Sequence, residues 1–263
     1  MKKCTFLLLL TVMLLGSCKT PQDIAYLQDV KVNEPIHTQG DGYIRFQPGD
    51  KLSIYVHSRD QQLMELFNIS GRNGSINNNA NGNVNYAPYT IDTAGEIDFP
   101  VLGTLKLQGL TRDEVAKYIK DQLIINNLCK DPIVTVAFYN MNFSVLGNAG
   151  AGVKQINKDR ITLLEALAMA SDLQINGLRK NVLVMRQEGD MQVPYRVDLT
   201  SAESIYNSPV YYIRQNDVIY VEPNDMTKRS STVMGSSAYT PSFWFGMFST
   251  VMSAALLIYN ILK

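Results

Sequence analysis

The chain has 263 residues, 24 Lys+Arg against 24 Asp+Glu, 46% apolar residues, two His and three Cys, a composition with room for two modest folded domains. A formal net charge of zero excludes the electrostatic footprint of sequence-independent nucleic-acid binding, so no nucleic-acid partner is expected. With two His and no clustered Cys there is no zinc set, and neither metal nor cofactor is expected.

At the N-terminal end, Lys2 and Lys3 precede a ten-residue apolar run, Phe6 to Leu15, interrupted only by Thr11. Such a run is too short for hydrocarbon, which takes about 20 residues, and matches a secretory h-region. It leads into Leu15-Gly16-Ser17-Cys18, small residues ahead of a single Cys, which resembles the lipobox of bacterial lipoproteins; a plain small-residue cleavage site is the alternative. The resemblance implies a signal peptide over 1–17 and lipidation of Cys18. Removing 1–17 leaves 246 residues with a net charge of −2. Cys4 departs with the signal and Cys18 carries lipid, so Cys129 has no intramolecular partner and reads as a small buried filler. Lys19, with no acidic run behind it, implies by the same resemblance attachment to the outer membrane from the periplasmic side.

Residues 18–40 read as a polar, lipid-anchored tether. Tyr43 to Val56 reads as strand, Pro48-Gly49-Asp50 turn, strand; Leu52, Ile54 and Val56 alternate with Ser53, Tyr55 and His57, which turns His57 outward. Ser70–Tyr86, with seven Asn and three Gly, is too polar to order itself and reads as a flexible surface loop. Tyr89–Leu107 gives short strands broken at Ala94-Gly95 and Gly103. A helix opens after Thr111, with Glu114 completing a capping box and Val115, Ile119 and Leu123 marking its buried face. Asp131-Pro132 breaks the chain before an apolar strand, Ile133–Tyr139. Further on, Thr162 and Glu165 form a second capping box, and Asn176-Gly177 is expected to terminate that segment.

The C-terminal segment, Ser242 to Leu262, has twenty-one residues and no charge, about 31 Å of helix at about 1.5 Å per residue. Thr240-Pro241 supplies a cap and first turn. At about 100° per residue, Ser242, Gly246, Ser249, Ser253 and Asn260 share one sector, while Trp244, Phe248, Val251 and Ile258 lie opposite; Leu256 and Phe245 stand at the margin. Two readings compete. Ser249-x-x-x-Ser253 lets helices approach closely, which is the simpler reading from periodicity alone. Alternatively, several copies ring a water-filled pore lined by the small, polar sector.

The search for catalytic chemistry ends without a site. Gly147 to Lys154 imitates a phosphate loop, but Val153 stands where the Lys is required and Gln155 follows Lys154 where a hydroxyl residue is required; a hairpin is the better reading. No nucleophile elbow or His-containing triad is legible. Asp92 and Asp98 could in principle pair for glycoside hydrolysis, but acidic residues in such loops mostly serve turns. No catalytic residue is assigned and no enzyme is expected.

Specific resemblance lies in the middle. Pro48-Gly49-Asp50 with its alternating strand, then Ala94-Gly95-Glu96-Ile97-Asp98-Phe99-Pro100-Val101-Leu102-Gly103, then Gly109-Leu110-Thr111 and a helix, is similar to the polysaccharide export domain of Wza-type outer-membrane translocons. Val145-Leu146-Gly147, Thr162 to Leu167 with Ala170-Ser171 behind, and Gln215 to Val221 resemble the β-grasp SLBB module that follows it there. Ala151-Gly152 replaces the usual Pro-Gly, Gln-Asn-Asp replaces Gly-Asp, and only one SLBB module fits. The expected class is therefore α+β: an export domain over 41–140, an SLBB domain over 141–223, a mobile linker over 224–241, and a C-terminal amphipathic transmembrane helix over 242–262. The resemblance implies a homo-oligomeric outer-membrane channel, octameric by analogy, that exports capsular or extracellular polysaccharide and meets an inner-membrane polysaccharide co-polymerase. Its helices would form an α-helical barrel, Ser242, Gly246, Ser249, Ser253 and Asn260 lining the pore and Trp244, Phe248, Val251 and Ile258 facing lipid. The rival is a glycan-binding envelope lipoprotein whose C-terminal helix is only an anchor.

Overall fold

Leu52, Ile54 and Val56 are buried on one side of β1 (Lys51–His57), as their alternation requires, and His57 is exposed. The structure, a computed structural model, describes residues 23–59, 67–68, 88–232, 235 and 240–262. The signal segment, Cys18 and the Asn-rich stretch 70–86 lie outside the described residues. β1 is the centre of a three-stranded antiparallel sheet between β2 (Tyr89–Thr90) and β5 (Ile133–Phe138). A separate hairpin joins β3 (Glu96–Phe99) to β4 (Gly103–Lys106). Against these packs α1 (Arg112–Ile125): Thr111 Oγ1 accepts from the Glu114 N–H, the Glu114 carboxylate accepts from the Thr111 N–H, and Val115, Ile119 and Leu123 are buried. Cys129 is buried with its thiol 3.3 Å from Ser58 Oγ.

The second half is a five-stranded mixed sheet made of β6 (Asn142–Gly147), β7 (Gly152–Gln155), β8 (Gly177–Glu188), β9 (Met191–Val197) and β10 (Val218–Pro223), in the order β7-β6-β10-β8-β9. β6 and β10 run parallel; the other neighbours are antiparallel. Between β7 and β8 lies α2 (Leu163–Met169), capped by Thr162 and Glu165 and burying Leu163, Ala166 and Leu167. A short α3 (Ala202–Tyr206) follows β9. The glycine-rich stretch before β7 is a hairpin and not a phosphate loop. A Cβ at Gly147, where φ is +84°, would sit 2.1 Å from the Val221 carbonyl oxygen, and one at Gly150 would sit 1.6 Å from that of Ala170.

Four expectations change. Residues 43–46 do not pair with β1 across the Pro48-Gly49-Asp50 turn; Phe46 exchanges backbone hydrogen bonds with Leu110 and Gly109 instead, and Gly49, at φ +90°, donates to Ile91. The turn therefore opens toward β2. The second capped helix ends at Ala170, not Asn176-Gly177, because Ser171 and Asp172 both take φ of +64°. Part of the expected mobile linker is α4 (Asp225–Ser230), capped by Asn224. The fourth concerns the tether, whose residues from Asp23 onward lie along the second module. Leu27 and Gln28 donate to the carbonyls of Leu199 and Thr200 at 3.1 and 2.7 Å.

Two buried charged groups stand out. Arg186 and Asp217 form a two-pronged ion pair with side chains 2% and 1% exposed, at 3.0 and 2.6 Å. Asp50 is 4% exposed and accepts from the Gln47 N–H at 2.8 Å. Burial pushes its carboxyl up to about 6, against the opposing pull of that hydrogen bond. A carboxyl with a raised folded value holds its proton more tightly when folded. Stability from this group is therefore present below about pH 4 and declines by up to about 3 kcal/mol as pH rises to about 6. Asp50→Asn keeps an acceptor for Gln47 and is expected to abolish that decline. Chemical denaturation of both proteins between about pH 4 and about pH 7 checks it: the variant's relative stability should grow with pH. A difference that does not vary with pH would count against the assignment.

Candidate functional site

Helix α5 (Pro241–Leu262) begins where the Phe243 N–H donates to the Thr240 carbonyl at 3.2 Å. It is long and apolar enough to cross a membrane, and none of its residues is buried. Its backbone is helical throughout, so the spacing puts Ser242, Gly246, Ser249, Ser253 and Asn260 on one side and Trp244, Phe248, Val251 and Ile258 on the other. Thr250, at the border, donates its hydroxyl to the carbonyls of Gly246 and Met247 at 3.1 and 2.8 Å, satisfying itself within the helix. Beyond the adjacent helix backbone, no atom of the described residues lies within 4 Å of a Cβ placed on Gly246, so their packing does not require glycine there.

The N-terminal strap that begins at Asp23 and the exit after β10 lie at the same end of the second module. Near the N-terminus, Asp23 pairs with Lys180 at 2.6 Å, the Tyr26 hydroxyl donates to Asp172, and the Arg179 guanidinium stands 5.4 Å over the Tyr26 ring. Burial first, and then the Asp172 carboxylate, push the Tyr26 hydroxyl well above its ordinary value. Asp29 accepts from the Ala202 N–H and the Ser201 hydroxyl, and both bonds hold its carboxyl below the usual range. At the chain's exit, Pro223 stands opposite Gly177 and the Asn224 N–H donates to the Asn176 carbonyl at 2.7 Å. The strap and the exit therefore meet at residues 176–180.

At the seam between the modules, the Ile44 N–H donates to the Asp159 carbonyl at 2.8 Å and Arg112 pairs with the Asp159 carboxylate at 2.8 Å. One side of this seam is a cleft of about 280 Å³ where Arg45 bridges Asp41 and Glu114 at 2.9 and 3.4 Å. The Thr111 N–H holds the Glu114 carboxyl below its usual range, and Arg45 does the same for Asp41. The other side is a cleft of about 550 Å³ walled by Tyr43, Lys158, Arg160, Glu165, Tyr211 and Tyr212. Arg160 lies 5.6 Å over the Tyr43 ring, Lys158 pairs with Glu165 at 2.9 Å, and burial raises the Tyr211 hydroxyl. Neither cleft was legible in the sequence, because the walls of the smaller come from residues 41–45, 111–114 and 159 and those of the larger from residues 43, 158–165 and 211–212. The Thr162–Glu165 capping box was the one local sign that this helix start is rigid.

Asp92 is a turn residue whose carboxylate accepts from the Ala94 and Glu96 N–H groups at 2.9 and 2.8 Å. Asp98 lies on β3 opposite Thr104. Among the described residues no group of three or more His, Cys, Asp or Glu is placed to hold a metal ion.

This arrangement is a mixed α+β chain with an apolar C-terminal helix, and it can be set beside its sequence relationships. Residues 38–138 match the family described as polysaccharide biosynthesis/export protein. Over 189 residues the chain is 29% identical to the EPS I polysaccharide export outer membrane protein EpsA of Ralstonia solanacearum, a match covering 70% of this chain and 49% of that relative. The chain thus spans about half the length of the curated relative it matches. Both similarities bear out the recognition made from the motifs, a likeness to Wza-type polysaccharide export proteins.

Proposed function

We propose that the chain is a subunit of an oligomeric outer-membrane channel that passes capsular or extracellular polysaccharide from periplasm to cell surface. The observation that carries this reading is α5: a charge-free helix of twenty-two residues, none of them buried, on a chain similar to polysaccharide export proteins. One such helix cannot enclose water. A ring of copies can, and its small, polar sector then lines a lumen that lowers the cost of moving a polyhydroxylated chain through hydrocarbon. In this reading Cys18 carries lipid, residues 41–140 and 141–223 form stacked periplasmic rings, and Ser242, Gly246, Ser249, Ser253 and Asn260 face the lumen. The parallel β6–β10 pair and the single helix α2 between hairpin and sheet support a β-grasp, SLBB-type second module. The convergence of strap and exit at residues 176–180 supports an orientation with that end toward the membrane, since lipid and helix then insert on one side. By analogy with the family the ring is octameric and meets an inner-membrane polysaccharide co-polymerase, which supplies energy and length control.

Extraction in mild detergent with mass determination by light scattering tests the assembly. A closed species of more than two copies, ring-shaped by electron microscopy, is expected. Monomer or dimer at every concentration would instead favour a glycan-binding lipoprotein held by an anchor helix.

A further inference from the structure

We infer that the larger seam cleft, between Tyr43 and the Tyr211-Tyr212 pair, is a contact site for the saccharide chain itself, specifically for an uncharged or weakly charged stretch of sugar residues. This rests on the polysaccharide-export reading and adds to it a place of contact outside the membrane helix.

The cleft's chemistry separates sugar from other occupants. Three tyrosines stand on its walls. Tyr211 and Tyr212 meet edge to face with centroids 4.7 Å apart, and the Tyr206 ring lies tilted against Tyr211 at 5.2 Å. Aromatic faces carry negative quadrupole density that attracts the C–H face of a pyranose ring, while the phenol hydroxyls take up its hydroxyl groups. Lys158, Arg160, Thr162 and Glu165 also line it and offer both donors and acceptors to a polyol. Among the described residues no aliphatic side chain lines this cleft, so a protein partner would find no apolar floor there for an anchor residue. Its lining charges balance, Lys158 and Arg160 against Asp159 and Glu165, with Lys158 paired to Glu165 at 2.9 Å and Arg160 over the Tyr43 ring, so the cleft lacks the net positive field that a phosphate backbone requires. A volume of about 550 Å³ falls within the usual range of ligand sites.

The walls are also set before any ligand arrives. The Leu163 N–H donates to the Tyr211 carbonyl at 2.7 Å, and Thr162 bridges Tyr212. Gly42, at φ +71°, lies so close to the Tyr212 ring that an added Cβ would come within 2.5 Å of it. A ring held on one side by backbone loses little freedom on binding.

The test places the photoreactive residue p-benzoylphenylalanine at position 43 of the full-length protein in polysaccharide-producing cells. Irradiation is expected to yield a saccharide adduct, a high-mass smear collapsed by periodate; the same residue at Tyr139, outside the cleft, should give none. Tyr212→Ala and the exposed Arg160→Ala should each lower the adduct yield about tenfold without changing the protein's amount or assembly. Crosslinking only to a second copy of the chain, or no adduct while export continues, would overturn the site. Failure of the channel reading shows separately, as monomer or dimer in the detergent sizing, and leaves the adduct result readable.

Discussion

Arg186→Ala is expected to destabilise the second module by about 3–5 kcal/mol, the usual cost of leaving one member of a buried ion pair alone. The guanidinium holds Asp217 through two nitrogens and donates to the carbonyls of Pro209 and Tyr212 at 2.9 and 2.7 Å, while Asp217 also accepts from the Arg214 N–H at 2.8 Å. One side chain on β8 thus satisfies acceptors across residues 209–217, the loop that delivers Tyr211 and Tyr212 to the seam. Its removal strands a buried carboxylate and two carbonyls together. Replacing both partners by apolar residues of similar volume, Arg186→Met with Asp217→Leu, should recover a good part of the loss, since no unpaired charge remains. Urea denaturation of the two single variants and the double variant checks this. Additive losses would mean that the pair is not the coupled unit its geometry describes.

A charge on α5 is expected to act oppositely on its two sides. Val251→Asp should block stable membrane insertion, at a cost of about 3 kcal/mol for a carboxylate facing lipid near mid-helix. Ser253→Asp, one sector away on the small side, should insert and assemble, and should change passage of polysaccharide. In helix packing without a lumen, both carboxylates would be desolvated and both variants would fail. Membrane fractionation with detergent sizing reads the first effect, and surface polysaccharide reads the second. Equal behaviour of the two variants would remove the lumen assignment for Gly246, Ser249 and Ser253.

Elements whose cause is short-ranged were legible from the residues alone. The capping boxes at Thr111–Glu114 and Thr162–Glu165 formed with both reciprocal bonds, because donor and acceptor lie three residues apart and need no tertiary help. Alternation placed β1, and the four-residue spacing of Val115, Ile119 and Leu123 placed α1 against the core. The Gly147–Gly152 stretch read correctly as a hairpin, although why glycine is needed there became visible only with the Val221 and Ala170 carbonyls in place. Where local signals were equivocal, distant partners decided. Residues 43–46 had strand character, but the loop before α1 captured them, and the two positive-φ residues after Ala170 ended α2 earlier than Asn176-Gly177 promised.

The amino-acid order by itself determined the resemblance to polysaccharide export proteins, the apolar C-terminal helix with its two unlike sides, and the capped and alternating elements, since each follows from local motifs, composition or neighbours within one or two turns. Tertiary structure alone decided the course of the strap from Asp23 to Gln39 along the second module, the Arg186–Asp217 pair, and the tyrosine-lined seam. Partners there are separated by 31 residues in the ion pair and by 173 between Asp29 and Ala202, and no periodicity records which distant groups the fold will bring into contact.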